Sequence, residues 1–152
     1  MKNIILIFFL LFLYSCGYTS VYKNQKNQDF QINIIEMAGD DEINNLFKNE
    51  LRFYSNRNSS NKYDISINSK YQKIIVSKNS AGVATDYKLL LDTKISINLN
   101  NENNIFNFNE NINIKSNSNS FEQNNYERNI KKNFASSIKD KFIIKILSLD
   151  DN

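Results

Sequence analysis

The chain is expected to fold as an α+β domain of order β-α-β-β-β-α. The sheet is a mostly antiparallel, mixed one of four strands, with two helices packed on one face. Three observations predict it. Four stretches alternate apolar and polar residues with the strand period of two. Two others repeat apolar residues every three or four positions, the helical period. Each strand has one apolar face and one polar face, so a single sheet with both helices on its apolar side is the economical packing.

The chain opens with MKNIILIFFLLFLYSCG. A basic residue, Lys2, precedes an apolar run from Ile4 to Tyr14 that is shorter than the ~20 residues of a membrane span. This is the pattern of a secretory signal, 1–15. Leu13, Ser15 and Cys16 form a lipobox, in which the Cys16 thiol is acylated, as with palmitate, before cleavage. Residues 16–28 are polar and aperiodic and read as a lipidated tether. Residues 29–152 form the single domain.

Asp29 to Met37 places Phe30, Ile32 and Ile34 on one side of a strand, and Gly39 breaks it. The acidic triplet 40–42 suits the positive end of a helix dipole. The helix it opens carries Ile43, Leu46, Phe47, Leu51 and Tyr54 as one stripe. Residues 56–61, NRNSSN, are a loop. Tyr63, Ile65, Ile67, Ser69 and Tyr71 then alternate. The phase slips near Gln72, where Ile74 and Val76 take the inward side, as at a bulge. Ser80-Ala81-Gly82 is the next break.

The longest alternation is Thr85 to Leu99. Tyr87, Leu89, Leu91, Thr93, Ile95, Ile97 and Leu99 share a face, with Leu90 the exception on the other. At about 3.3 Å per residue the strand runs close to ~50 Å. Residues 100–104 make a turn, and Phe106, Phe108, Ile112 and Ile114 form its hairpin partner, with Glu110 in the inward phase. Ser120 and Gln123 have capping-box spacing. Tyr126, Ile130, Phe134, Ile138 and Phe142 follow at every fourth residue. From Ile143 to Leu149 apolar residues surround the axis, so that segment is either buried all round or leaves the helix.

Composition narrows the function classes. Without Lys2 the mature chain holds 18 basic and 16 acidic residues, a net charge of about +2. That lacks the concentrated basic face of a nucleic-acid binder. Cys16 is the only cysteine and there is no histidine. An internal disulfide, a His/Cys metal site and the His-dependent nucleophiles are therefore excluded. Nothing points to an enzyme, a metal or a cofactor.

Three features resemble the LPS-assembly lipoprotein family, LptE. They are Cys16-Gly17-Tyr18 with Tyr22 close behind, Gly82-Val83-Ala84-Thr85-Asp86-Tyr87 running into Leu89 and Leu91, and the element order ending in a long C-terminal helix. The chain departs from the family in its Asn-rich strands and in having no Pro after the lipidated Cys. The resemblance implies an outer-membrane lipoprotein, lipid-anchored at the periplasmic face. It would plug and help assemble an LptD-like β-barrel, and could itself bind lipopolysaccharide (LPS). LPS is polyanionic, so contacts require cations. Lys70, Lys88, Lys94 and Lys115 share the polar sheet face if the phases hold, although any one of them alone is ordinary surface charge. The hairpin 85–115 is expected to project beyond the helices toward partner or LPS. The alternative is a lipid-anchored scaffold or binding module for another envelope partner, also non-enzymatic.

Overall fold

The computed structural model describes residues 30–99 and 102–150. The expected leader, Cys16 and the tether lie outside the described residues. The elements are β1 (Phe30–Gly39), α1 (Asp41–Ser55), β2 (Asn61–Lys78), β3 (Ala84–Leu99), β4 (Glu102–Lys115) and α2 (Ser120–Asp150). The sheet order is β1-β2-β3-β4. β1 and β2 are parallel, joined through α1, while β2–β3 and β3–β4 are antiparallel. The expected α+β sheet with two helices is the observed fold.

Period-two patterning holds where both faces of a strand have defined surroundings. Leu89, Leu91, Ile95 and Ile97 of β3 are buried beside Ile65 and Ile67 of β2 and Phe30 and Ile32 of β1. Ile43, Phe47 and Leu51 of α1, with Ile130, Phe134, Ile138 and Phe142 of α2, close the same core. Both helices therefore cover the apolar side of the sheet and leave the other side bare. In β1 the alternation breaks at a register shift between Ile34 and Glu36, so that Ile35 and Glu36 are both exposed and Met37 packs against the core.

The β1–α1 junction is closely fitted. Asp40 caps α1, its Oδ1 accepting from the Ile43 amide at 2.9 Å. Asp41 and Glu42 occupy the first turn, where negative charge suits the dipole. The Asp40 amide donates to the Ser69 carbonyl at 3.0 Å. Asn44 is buried: its Nδ2 donates to the Ala38 carbonyl at 3.2 Å and its Oδ1 accepts from the Ser69 hydroxyl at 2.7 Å.

Five expectations require correction. β2 has no slip at Gln72, and its register with β3 is continuous to Ile75, breaking only between Ile75 and Lys78. Ile74 and Val76 are exposed rather than inward: with the register unbroken, Ile74 falls on the same outward side as Lys70, opposite Lys88, and Val76 lies at the break that follows Ile75. The turn after β3 is shorter than 100–104: Glu102 already pairs with Leu99, and Asn103 and Asn104 with Asn98 and Ile97. Tyr126 is exposed, since the buried stripe of α2 starts at Ile130. Ser120 and Gln123 form no capping box. Asn119 caps α2 instead, its Oδ1 accepting from the Phe121 and Glu122 amides at 3.0 and 3.3 Å. Gln123 turns away to accept from the Asn117 amide at 2.7 Å.

The open question at the C-terminus is answered. Residues 143–149 stay helical, with Ile143 and Ile146 buried, Leu147 and Leu149 partly covered and Ile144 exposed. The capping result makes a direct prediction. Asn119→Ala should destabilise the domain by about 1 kcal/mol in urea unfolding, whereas Ser120→Ala should change it by less than about 0.5 kcal/mol.

Candidate functional site

The uncovered face of the sheet is the candidate site. In β2 the inward residues end in Ser69 and Tyr71, so Asn68 and Lys70 point outward. In β3 the same alternation turns Asp86, Lys88, Asp92, Lys94 and Ser96 out, and in β4 it turns out Asn107, Asn109, Asn113 and Lys115. All four sequence-predicted lysines therefore stand on one face, which is the bare one. Lys70, Lys94 and Lys115 are exposed and Lys88 is half-buried.

The register divides them into two pairs. Lys70 stands opposite Asp92, and Lys94 is bracketed by Asn68 and Asn107. Lys70 and Lys94 are thus diagonal neighbours, about 7–8 Å apart at the backbone. Lys115 stands opposite Asp86 and Lys88 opposite Asn113, giving a second diagonal pair. Each pair carries an aspartate; alternation puts Asp86 and Asp92 on this face, and only the register sets them opposite Lys115 and Lys70. An open hollow of about 330 Å³ lies at the first pair, lined by Asn68, Lys70, Asp92, Lys94, Asn107 and Asn109 among others. At the second, Ser77 and Thr85 both donate to Asp86, Thr85 at 2.9 Å. Those hydroxyls, with Lys115 nearby, hold the Asp86 carboxyl below its ordinary pKa. It therefore stays ionised and offsets the neighbouring cations.

Beyond Ser69 the sheet loses its first strand and its first helix, and β2 and β3 run on with only the first turns of α2 beside them. Lys73 bonds Glu127 of α2 and lies 4.1 Å from the Tyr87 ring centroid there. The turn at the tip is set by Asn79, whose Oδ1 accepts from the Ala81 and Val83 amides at 3.0 Å each. Ile74, Ile75, Val76 and Val83 are exposed at this end. The projecting end is thus the β2–β3 turn together with the open end of the hairpin 85–115, the end away from the β3–β4 connection. The β3–β4 turn lies level with the start of β1 and β2, because Asp64 pairs with Asn98 near the beginning of β2.

A polar network on the covered side was not foreseen. Glu42 bonds Lys131 at 2.5 Å, which in turn lies 4.4 Å from the Tyr71 ring centroid. Burial, followed by the charges of Glu127, Glu42 and Asp40, raises the Tyr71 phenol above its ordinary pKa. Glu110, inward as expected, accepts from Ser137 at 2.7 Å and Lys141 at 2.6 Å of α2. These contacts tie α2 to α1 and to both outer strands of the long antiparallel unit. Among the described residues no group of His, Cys, Asp or Glu could hold a metal ion, and no helix is long and apolar enough to cross a membrane.

Neither a family model nor a curated protein matches this chain. Solved structures do. The rare lipoprotein B from Shewanella oneidensis is similar over 78% of this chain and 99% of its own, with TM-score 0.57 and 14% identity. A minor lipoprotein from Acinetobacter baumannii is similar over 76% of this chain and 92% of its own, with TM-score 0.52 and 9% identity. The four-stranded sheet with its two helices is thus similar in fold to both lipoproteins.

Proposed function

We propose that this chain is a non-enzymatic envelope lipoprotein, acylated at Cys16 and held at the periplasmic side of the outer membrane. There it serves as the LptE-like subunit of LPS assembly, filling an LptD-like β-barrel and offering its bare sheet face to LPS. The observation that carries this reading is a sheet face left uncovered by either helix and built mostly of Asn, Ser, Lys and Asp, with Ile35, Ile74, Leu90 and Ile105 set among them. A barrel lumen is polar, and such a face can hydrogen-bond to its wall along the whole length of β3. The exposed Ile74, Ile75, Val76 and Val83 at the projecting end add apolar surface of the kind that marks protein contacts. The similarity in fold to two lipoproteins agrees with an anchored envelope role.

LPS binding to the lysine face gives the test. Lys88→Glu and Lys94→Glu reverse charge where the neighbours across the sheet are uncharged. Lys70→Gln and Lys115→Gln avoid setting a carboxylate against Asp92 or Asp86. The fourfold variant should keep its melting temperature within a few degrees, because all four side chains lie on the uncovered face. Its binding to purified LPS at low salt should fall at least about tenfold, and wild-type binding should weaken steeply as salt is added. Unchanged binding in the folded variant would remove this face as the LPS site and leave the barrel partnership to be judged separately.

A further inference from the structure

The first described residue, Phe30, is the point from which the chain runs back toward Cys16. Its ring stacks on Tyr54 with centroids 5.3 Å apart and planes within 2°. Tyr54 meets the edge of Phe53 at 5.3 Å. Phe53 is 63% exposed, and the Arg57 guanidinium lies 4.7 Å from its ring centroid. Arg52 is exposed next to Phe53 in the chain, and Lys48 is exposed one turn earlier on α1. A hollow of about 490 Å³ separates these groups, lined by Asn49, Glu50, Arg52, Phe53, Asn56 and Arg57. Glu50 is the one acid in it. The end of α1 thus sets an exposed aromatic ring among arginines, two ring contacts from the exit of the chain.

We propose that this end of α1 is a membrane-resting surface for an anionic lipid bilayer, with Phe53 at the headgroup level and Arg52 and Arg57 on lipid phosphates. The inference rests on the acylation of Cys16 proposed above. Thirteen residues, 17–29, then separate the acylated residue from Phe30, a span of at most about 50 Å. An anchored domain therefore meets the bilayer first at the end where the tether leaves. Aromatic rings favour the interface between headgroups and acyl chains, and cations next to them are drawn to anionic headgroups. The tip at the β2–β3 turn lies about 50 Å away along β3. The projecting tip is therefore the end of the domain that takes no part in the bilayer contact.

The chain contains no tryptophan, so one introduced indole reports one position. Phe53→Trp and Phe121→Trp replace two exposed rings at opposite ends of the domain, Phe121 being 72% exposed in the first turn of α2. Each full-length variant would be expressed in its host, purified in detergent and reconstituted into vesicles with brominated acyl chains. The vesicles hold phosphatidylethanolamine with phosphatidylglycerol, or phosphatidylcholine alone. Mass spectrometry of the N-terminal peptide records the acyl group. The expected result is indole fluorescence quenched several-fold more in Phe53→Trp than in Phe121→Trp. Quenching of the Phe53→Trp protein should weaken in phosphatidylcholine, at high salt, and with Arg52→Gln and Arg57→Gln added. If the two acylated variants are quenched equally, the surface is overturned while the anchor stands. A protein without the acyl mass overturns the anchor and this orientation with it. Thermal melts by circular dichroism verify that each variant is folded.

Discussion

Leu91→Asp is expected to abolish the folded domain. Leu91 is fully buried in the middle of β3, with Tyr71 of β2 and Glu110 of β4 directly across. The substitution removes apolar volume from under both helices and places a carboxylate there. An unpaired buried charge costs several kcal/mol, and protonation only exchanges that cost for a shifted pKa. Its nearest cross-strand neighbour on one side is Glu110, so an ionised Asp would also face a like charge. Glu110 already has Ser137 and Lys141 as partners and offers none to a second acid. A domain of this size has a total stability of about 5–15 kcal/mol, and the summed penalty is of that order. The neighbour Asp92 points to the bare face, so Asp92→Asn should shift stability by less than about 0.5 kcal/mol. Circular dichroism and urea titration read both. A soluble Leu91→Asp protein with a cooperative transition would mean that the strand faces are assigned the wrong way round.

Gly39→Ala is expected to have the next largest effect, about 3 kcal/mol or more. Gly39 has φ +92°, a left-handed backbone that costs an L-residue about 1–2 kcal/mol. Steric conflict adds to that. A Cβ built there would lie 1.8 Å from the Ser69 carbonyl oxygen, which is backbone and cannot rotate aside. β1 would have to part from β2 where Asp40 bonds the same carbonyl and Asn44 bonds the Ser69 hydroxyl. Gly82 is the internal comparison. Its φ is +79°, but no heavy atom lies within 4 Å of a built Cβ. Gly82→Ala should therefore cost only the backbone term, about 1–2 kcal/mol. Urea midpoints compared for the two variants check the difference. Equal losses would contradict the close approach at Ser69.

The strands were legible because period two needs only a core on one side. β3 shows this most cleanly: it is paired along its length on both sides, and its inward residues from Leu89 to Ile97 lie under the helices. The same rule failed at Ile74 and Val76. Their alternation is that of a core strand, but it is out of phase with Tyr63 to Tyr71, and the unbroken pairing with β3 puts Ile74 opposite Lys88 on the bare face, where no core exists. The Asn-rich 102–104 segment reads as a turn by composition and is a strand because 97–99 stand opposite. Asn119 and Ser120 are both good caps, and the choice between them followed from Gln123 turning to Asn117. The four lysines were correctly placed on one face, since that follows from alternation alone. That Asp92 faces Lys70 and Asp86 faces Lys115 required the register, which no local pattern contains. The Phe30–Tyr54–Phe53–Arg57 ladder is likewise a tertiary arrangement, as Phe30 and Tyr54 belong to different elements.

The central claim, an envelope lipoprotein that acts as a subunit of an outer-membrane barrel, is tested most directly by purification from the native membrane. A C-terminally tagged full-length chain would be expressed in its host. The outer membrane would then be separated and solubilised in mild detergent, and the captured complex identified by mass spectrometry. The account predicts one large β-barrel protein in stoichiometric amount, retained through size-exclusion chromatography. The tagged chain should be acylated at Cys16. Recovery of the acylated chain alone, or with envelope partners that include no barrel, would contradict the account.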